Sequence, residues 1–273
     1  MTAVSLSVAA RALVLGITAV VLAMLIPGGA RAQSLSRRIA DAPDGKVRLE
    51  FTAKPDLCGN GNYVARGNHN RTSWDSDYSE DVEYTDDCMH SPVRLVLSKS
   101  RGQVVKIRTY VGGHWRAPAG TVTSIGPVST REATDYLMSV ASSASSKIGS
   151  EAIFPMTLAD SVEIWPGLLR LARDQARPSE IRTQSVFWLG QIAGETITRN
   201  LADLTGEAAL DREIRKQAVF ALSQRPQRDG VPALIQIART NRDPEIRKNA
   251  LFWLGQSRDP RALALFEEIL TRK

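Results

Sequence analysis

The stretch Asp243-Pro244-Glu245-Ile246-Arg247-Lys248-Asn249-Ala250-Leu251-Phe252-Trp253-Leu254-Gly255-Gln256 decides the fold, because most of it occurs earlier in the chain. Glu245-Ile246-Arg247 stands also as Glu213-Ile214-Arg215 and as Glu180-Ile181-Arg182, at separations of 32 and 33 residues. Leu251-Phe252-Trp253-Leu254-Gly255-Gln256 stands likewise as Val219-Phe220-Ala221-Leu222-Ser223-Gln224 and as Val186-Phe187-Trp188-Leu189-Gly190-Gln191. A worn copy begins at Ala152-Ile153-Phe154. In each unit a first helix starts at a cap, clearest in Asp243-Pro244-Glu245, where Asp caps, Pro takes the first helical position and acid fills the first turn. A second, apolar helix follows, as in Trp165 to Arg173, Val231 to Arg239 and Arg261 to Leu270. Units this short cannot bury an apolar face alone, so they stack. The expected fold class is an α-helical solenoid of about four repeats over residues 148–273, preceded by a small antiparallel β module, mainly α with an α+β arrangement overall.

The first helices, with Ile214-Arg215, Ala218, Ala221 and Leu222, and again Ile246-Arg247, Ala250 and Leu254, resemble the HEAT-like repeats of the phycobilisome-lyase type, whose pattern is Ile-Arg-x-x-Ala-x-x-Ala-Leu-Gly. The resemblance spans about residues 148–273 and implies protein binding as the role. It carries no catalytic residue with it.

One departure from that pattern stands out. At about 100° per residue, Ile181, Ser185, Trp188, Leu189 and Ile192 share an apolar face, while Phe187 falls among Thr183, Gln184 and Gln191. Phe220 and Phe252 repeat this placement beside Gln224 and Gln256. Stacked repeats align Phe187, Phe220 and Phe252 as a stripe flanked by a ladder of Gln191, Gln224 and Gln256. This set is the candidate partner-binding surface for a protein or peptide; the alternative is that the β module or a neighbouring helix covers it. Trp188 and Trp253 are expected in the core. Arg182, Arg215 and Arg247 form a second ladder, suited to carbonyls or carboxylates of the adjoining repeat.

Upstream, residues 33–44 carry no apolar period and read as a tether. From Gly45, Val47, Leu49 and Phe51 alternate with Lys46, Arg48 and Glu50, the period of a half-buried strand. Val93 to Ser98, the turn Lys99-Ser100-Arg101-Gly102 and Val104 to Val111 form a hairpin signal. Residues 45–115 are therefore the β module and residues 116–147 a linker and capping helix, opened by the capping box Ser129 to Glu132. The two cysteines, Cys58 and Cys88, read as a disulfide closing a loop of about thirty residues; a two-Cys metal site with His69 or His90 is the alternative, without C-x-x-C spacing. Between Asp75 and Asp87 lie seven carboxylates. Asp75, Asp77, Ser79, Asp81 and Asp86 sit at offsets like those of a calcium loop, although Glu80 occupies the position that wants Gly. Calcium at Asp75, Asp77, Asp81 and Asp86 is the cofactor this loop admits; otherwise none is expected.

Residues 1–32 read as a secretory signal: Arg11, an apolar run from Ala12 to Pro27, then Gly28-Gly29-Ala30-Arg31-Ala32 with an A-x-A site. Cleavage after Ala32 makes the product periplasmic or secreted, with no membrane insertion; retention as an anchor is the alternative. It removes Arg11 and Arg31, taking the net charge from +6 to +4. Residues 177–273 hold 16 Lys+Arg against 12 Asp+Glu, too even a mixture for nucleic acid. The composition, 43% hydrophobic with 2 Cys, excludes collagen, disordered polyampholytes and disulfide-dense miniproteins. There is no H-E-x-x-H, G-x-S-x-G or phosphate-loop motif, so no enzyme is expected; the rival function is an enzyme or metal-dependent module centred on the acidic loop.

Overall fold

The computed structural model describes residues 33–66, 70–73 and 80–271; Asp75, Asp77, His69 and the signal segment lie outside them. Residues 34–273 form one compact unit. In chain order it contains α1 (Leu35–Asp41), β1 (Gly45–Phe51), β2 (Leu57–Gly59), β3 (Tyr63–Arg66), β4 (Asn70–Ser73), β5 (Val82–Glu83), β6 (Val93–Ser100), β7 (Gln103–Val111), β8 (His114–Trp115) and β9 (Val122–Pro127). Then follow α2 (Thr130–Ser143), α3 (Ser146–Thr157), α4 (Trp165–Arg173), α5 (Ser179–Gln191), α6 (Glu195–Gly206), α7 (Arg212–Ser223), α8 (Gln227–Thr240), α9 (Pro244–Ser257) and α10 (Pro260–Thr271). None of the described helices is long and apolar enough to cross a membrane.

Two expectations are corrected. The tether is a helix: Leu35 and Ile39 of α1 are buried, and α1 packs on α2. Its last carbonyls are held by Lys99, buried in β6, whose Nζ donates to the Ile39 and Ala40 oxygens at 2.8 Å. A cation there satisfies acceptors that the helix end leaves open. The linker, in turn, contains β9, which pairs parallel with β1 and makes the sheet mixed, in the order β7-β6-β1-β9. Gly and Thr disguised this edge strand, whose alternation is weak. The capping box forms as read, with Ser129 and Glu132 exchanging both bonds.

The repeated first-helix sequence falls on α5, α7 and α9, each followed by a second helix, α6, α8 and α10; the worn copy falls on α3. The first helices lie in a row, α5 between α3 and α7, and α7 between α5 and α9; α8 packs on α6 and α10 in the second row. Small residues set the spacing. A Cβ on Gly190 of α5 meets the Cβ of Ala221 of α7 at 2.9 Å, so glycine there permits the close approach. The sheet closes the beginning of the row, with α3 against β7. Val47, Leu49, Phe51, Leu95 and Leu97 join Leu137, Ile153, Ile181, Ile214 and Ile246 in one continuous core, so the β module and the repeats share their interior.

The seam yields a test. Gly190→Leu is expected to lose about 1–3 kcal/mol through overpacking. Gly255→Ala, whose Cβ finds Phe266 at an ordinary 3.9 Å, gains up to about 1 kcal/mol of helix propensity. Denaturant unfolding of the two variants at low protein concentration checks both signs.

Candidate functional site

The disulfide forms between Cys58 and Cys88, with Cα atoms 5.2 Å apart, so neither sulfur is left for a metal. Beside it Gly59 and Met89 exchange backbone bonds at 2.9 and 2.7 Å, which fixes β2 against the loop preceding β6. The β2–β3 hairpin is thereby held over the start of the helical row.

Within the helices the aromatic residues do not form one uninterrupted stripe. Phe154 of α3 lies against Trp188 of α5 at 5.3 Å between ring centres, and Trp188 meets Phe187 edge-on at 5.1 Å. The same arrangement returns two repeats later: Phe220 of α7 lies 5.0 Å from Trp253 of α9, which meets Phe252 edge-on at 5.1 Å. Each Phe thus leans on the aromatic residue of the following repeat. Where that residue is Ala221, the series breaks. Phe187 and Phe220 are accordingly half-buried rather than open, while Phe252 is 56% exposed. Trp188 and Trp253, expected in the core, are only half-buried and serve as wedges between repeats.

The break divides the surface. Phe154, Phe187 and Trp188 form one wall of a groove of about 440 Å³, with Leu57 and Val64 of the hairpin opposite and Arg66, Gln184 and Gln191 among its polar lining. Arg66 is paired with Asp56 at 3.2 Å. Nearby, burial and then the Arg66 charge lower the pKa of the Lys54 ammonium, which donates to the Thr157 carbonyl at 2.8 Å. Gln224 and Gln256 line a separate hollow of about 260 Å³ with Trp253. Phe220 and Phe252 line neither. Leu57, Val64 and Arg66 escape a sequence reading, because only the hairpin's fold brings them to α5. A third hollow of about 720 Å³ lies along α6 and α8, lined by Ala202, Gly206, Ala208 and Ala233; its Arg215 and Asp243 are paired to each other at 3.0 Å, and it has no aromatic wall.

The arginine ladder is structural. Arg182 pairs with Asp211 and donates to the Ala172 carbonyl, Arg215 pairs with Asp243, and Arg247 donates to the Asn241 carbonyl at 2.7 Å. Asp211 and Asp243 stand at the N-cap positions of α7 and α9, so Arg182 and Arg215 each tie their repeat to the start of the next, while Arg247 holds the end of α8 before it.

Asp81, considered above as a calcium ligand, is instead completely buried among cations. Lys46 Nζ approaches it at 2.7 Å, Arg108 Nη1 at 3.0 Å and Arg48 Nη2 at 3.7 Å, and Tyr110 donates its hydroxyl at 3.4 Å. Arg48 and Arg94 lie on the Trp115 ring at 5.0 and 5.4 Å. The Asp81 carboxylate is thus engaged by cations of the chain itself; Asp86 is exposed, and among the described residues no acidic or histidine cluster able to hold a metal forms. Burial would raise the Asp81 pKa, but hydrogen bonds from Lys46 and Arg108, with their charges, outweigh it and hold the carboxyl below its usual range. Its stabilising contribution is therefore fully present above the unfolded pKa near 3.8 and disappears as pH falls through the lower folded value. Asp81→Asn is expected to cost about 3 kcal/mol at neutral pH, since it strands buried cations. The difference from the parent should shrink below about pH 4, as read by urea unfolding across pH.

Residues 201–273 match the family model for HEAT repeats, from within α6 through α10. No curated protein matches the sequence.

Proposed function

We propose that this chain is an exported, non-catalytic scaffold of solenoid type that holds an extended polypeptide segment in the groove between the β2–β3 hairpin and α3/α5. The groove itself carries the reading: an aromatic floor of Phe154, Phe187 and Trp188 faces aliphatic Leu57 and Val64, with amide groups at Gln184 and Gln191. Such a floor takes apolar side chains, and the amides supply donors and acceptors to a peptide backbone. The matched HEAT repeats support a protein partner, that being the common role of such arrays. The Cys58–Cys88 disulfide supports an oxidising compartment, in keeping with the signal read at residues 1–32. A resemblance to the phycobilisome-lyase type remains part of this reading and adds no activity to it.

Peptides selected from a displayed library against residues 34–273 test the reading. Phe187→Ser and Gln191→Ala are expected to weaken a selected peptide at least about tenfold in fluorescence anisotropy, while Phe252→Ser leaves it unchanged. Binding insensitive to both groove variants sinks the proposal. The export component has its own readout: N-terminal sequencing of the periplasmic product should begin at Gln33.

A further inference from the structure

Of the six large apolar side chains exposed among the described residues, four belong to the last repeat: Phe252 at 56%, Leu263 at 61%, Ile269 at 47% and Leu270 at 84%. Repeat register explains their exposure. In earlier repeats the equivalents of these groups are covered by the following helix: Phe220 by Trp253, and Gly190 by Ala221. In α9 the corresponding Phe252 and Gly255 face outward, and a Cβ at Gly255 meets only Phe266 of α10 within 4 Å. On α10 the buried side is set by Ala262 and Leu265, while Leu263 and Leu270 project within about 20° of each other next to Phe266. Phe252, Gly255, Phe266, Leu263 and Leu270 therefore make one continuous apolar face.

We propose that this face pairs with the same face of a second copy of the chain, in a closed two-fold dimer. Three observations select that occupant. First, Phe252 is a knob and Gly255, one turn away on the same ridge, is a hole. A two-fold axis crossing α9 at the level of Trp253 and Leu254 sets the two α9 helices antiparallel and seats Phe252 on the partner's Gly255, twice over. Self-complementarity of this sort is what an isologous contact requires. Second, the same axis lays α10 antiparallel on its counterpart, which covers Leu263 and Leu270 together. Third, head-to-tail growth is blocked, because the beginning of the row is already occupied in every copy: α3 packs against β7 and α2. Pairing through the last repeat leaves the groove at α3/α5 of both copies open, so the dimer presents two grooves.

Sedimentation velocity of residues 34–273 over a concentration series tests this, using the compact unit as it stands. The expected result is a monomer–dimer equilibrium with a dissociation constant on the order of micromolar. Phe252→Glu removes the knob and Gly255→Leu fills the hole; each should weaken the dimer at least about tenfold. Gly255→Leu meets only the tip of Phe266, at an ordinary contact distance, and replaces a mid-helix glycine, so its melting temperature at low concentration should not fall, which separates lost pairing from lost folding. A species that stays monomeric to about 0.1 mM, as it would if another protein's helices were the occupant, overturns the proposal. So does a dimer indifferent to both substitutions. Peptide capture by the groove is read independently, since Gly255→Leu leaves Phe187 and Gln191 in place.

Discussion

No helix pair in the C-terminal half can bury its own apolar face, and everything else follows from how the next pair relieves that. The seams draw on three components: a glycine that lets α5 and α7 approach, ring pairs between α3 and α5 and between α7 and α9, and arginines of α5 and α7 tied to the following cap. The first sets distance, and the third ties each helix to the next, Arg182 reaching the Asp211 carboxylate and Arg215 the Asp243 carboxylate. The aromatic contacts then take whatever space remains. Replacing tryptophan by Ala221 in the middle repeat leaves Phe187 without the wedge that Phe220 has, and the groove lies beside that break.

A row of repeats has two ends, and the chain treats them differently. At the beginning the four-stranded sheet serves as a cover, burying Val47, Leu49, Leu95 and Leu97 toward the helices while its outer face carries Lys46, Arg48, Arg94 and Arg108. That concentration of positive charge on one sheet face is tolerable because Asp81 is inserted among three of the cations and the Trp115 ring takes up Arg48 and Arg94. The acidic loop, which suggested a metal by its spacing, thus contributes its most buried carboxylate to holding the cover together. At the other end the seam residues Phe252 and Gly255 are presented with nothing of the described chain laid over them, and α10 adds Leu263 and Leu270 to the same surface.

The hairpin links the cover to the site. Cys58 and Cys88 with the Gly59–Met89 bridge hold β2 in place, and that placement brings Leu57, Val64 and Arg66 opposite Phe187 and Trp188. A helical row alone would present a convex ridge of half-buried rings. The hairpin turns the ridge into a groove with two walls, which is the difference between a surface and a site.

Periodicity alone determined the helices α5, α7 and α9 that carry the repeated sequence, the Asp243 cap, the Arg182 and Arg215 ties across repeats and the strands β1, β6 and β7, because each depends on residues whose spacing matches the period of the element that contains them. It did not disclose α1 or β9, whose segments are held by partners distant in sequence: the Lys99 ammonium for α1 and the edge of β1 for β9. Nor did it disclose α6, which starts at Gly194 with no side-chain cap to mark it. The fate of the three phenylalanines was likewise undecidable from the helical wheel, since a wheel distinguishes polar from apolar sides of one helix but says nothing of what the next helix or a distant hairpin lays against them. Tertiary contact decided that Phe187 borders a groove, Phe220 lies in a seam and Phe252 stands open, because burial belongs to pairs of elements and not to one.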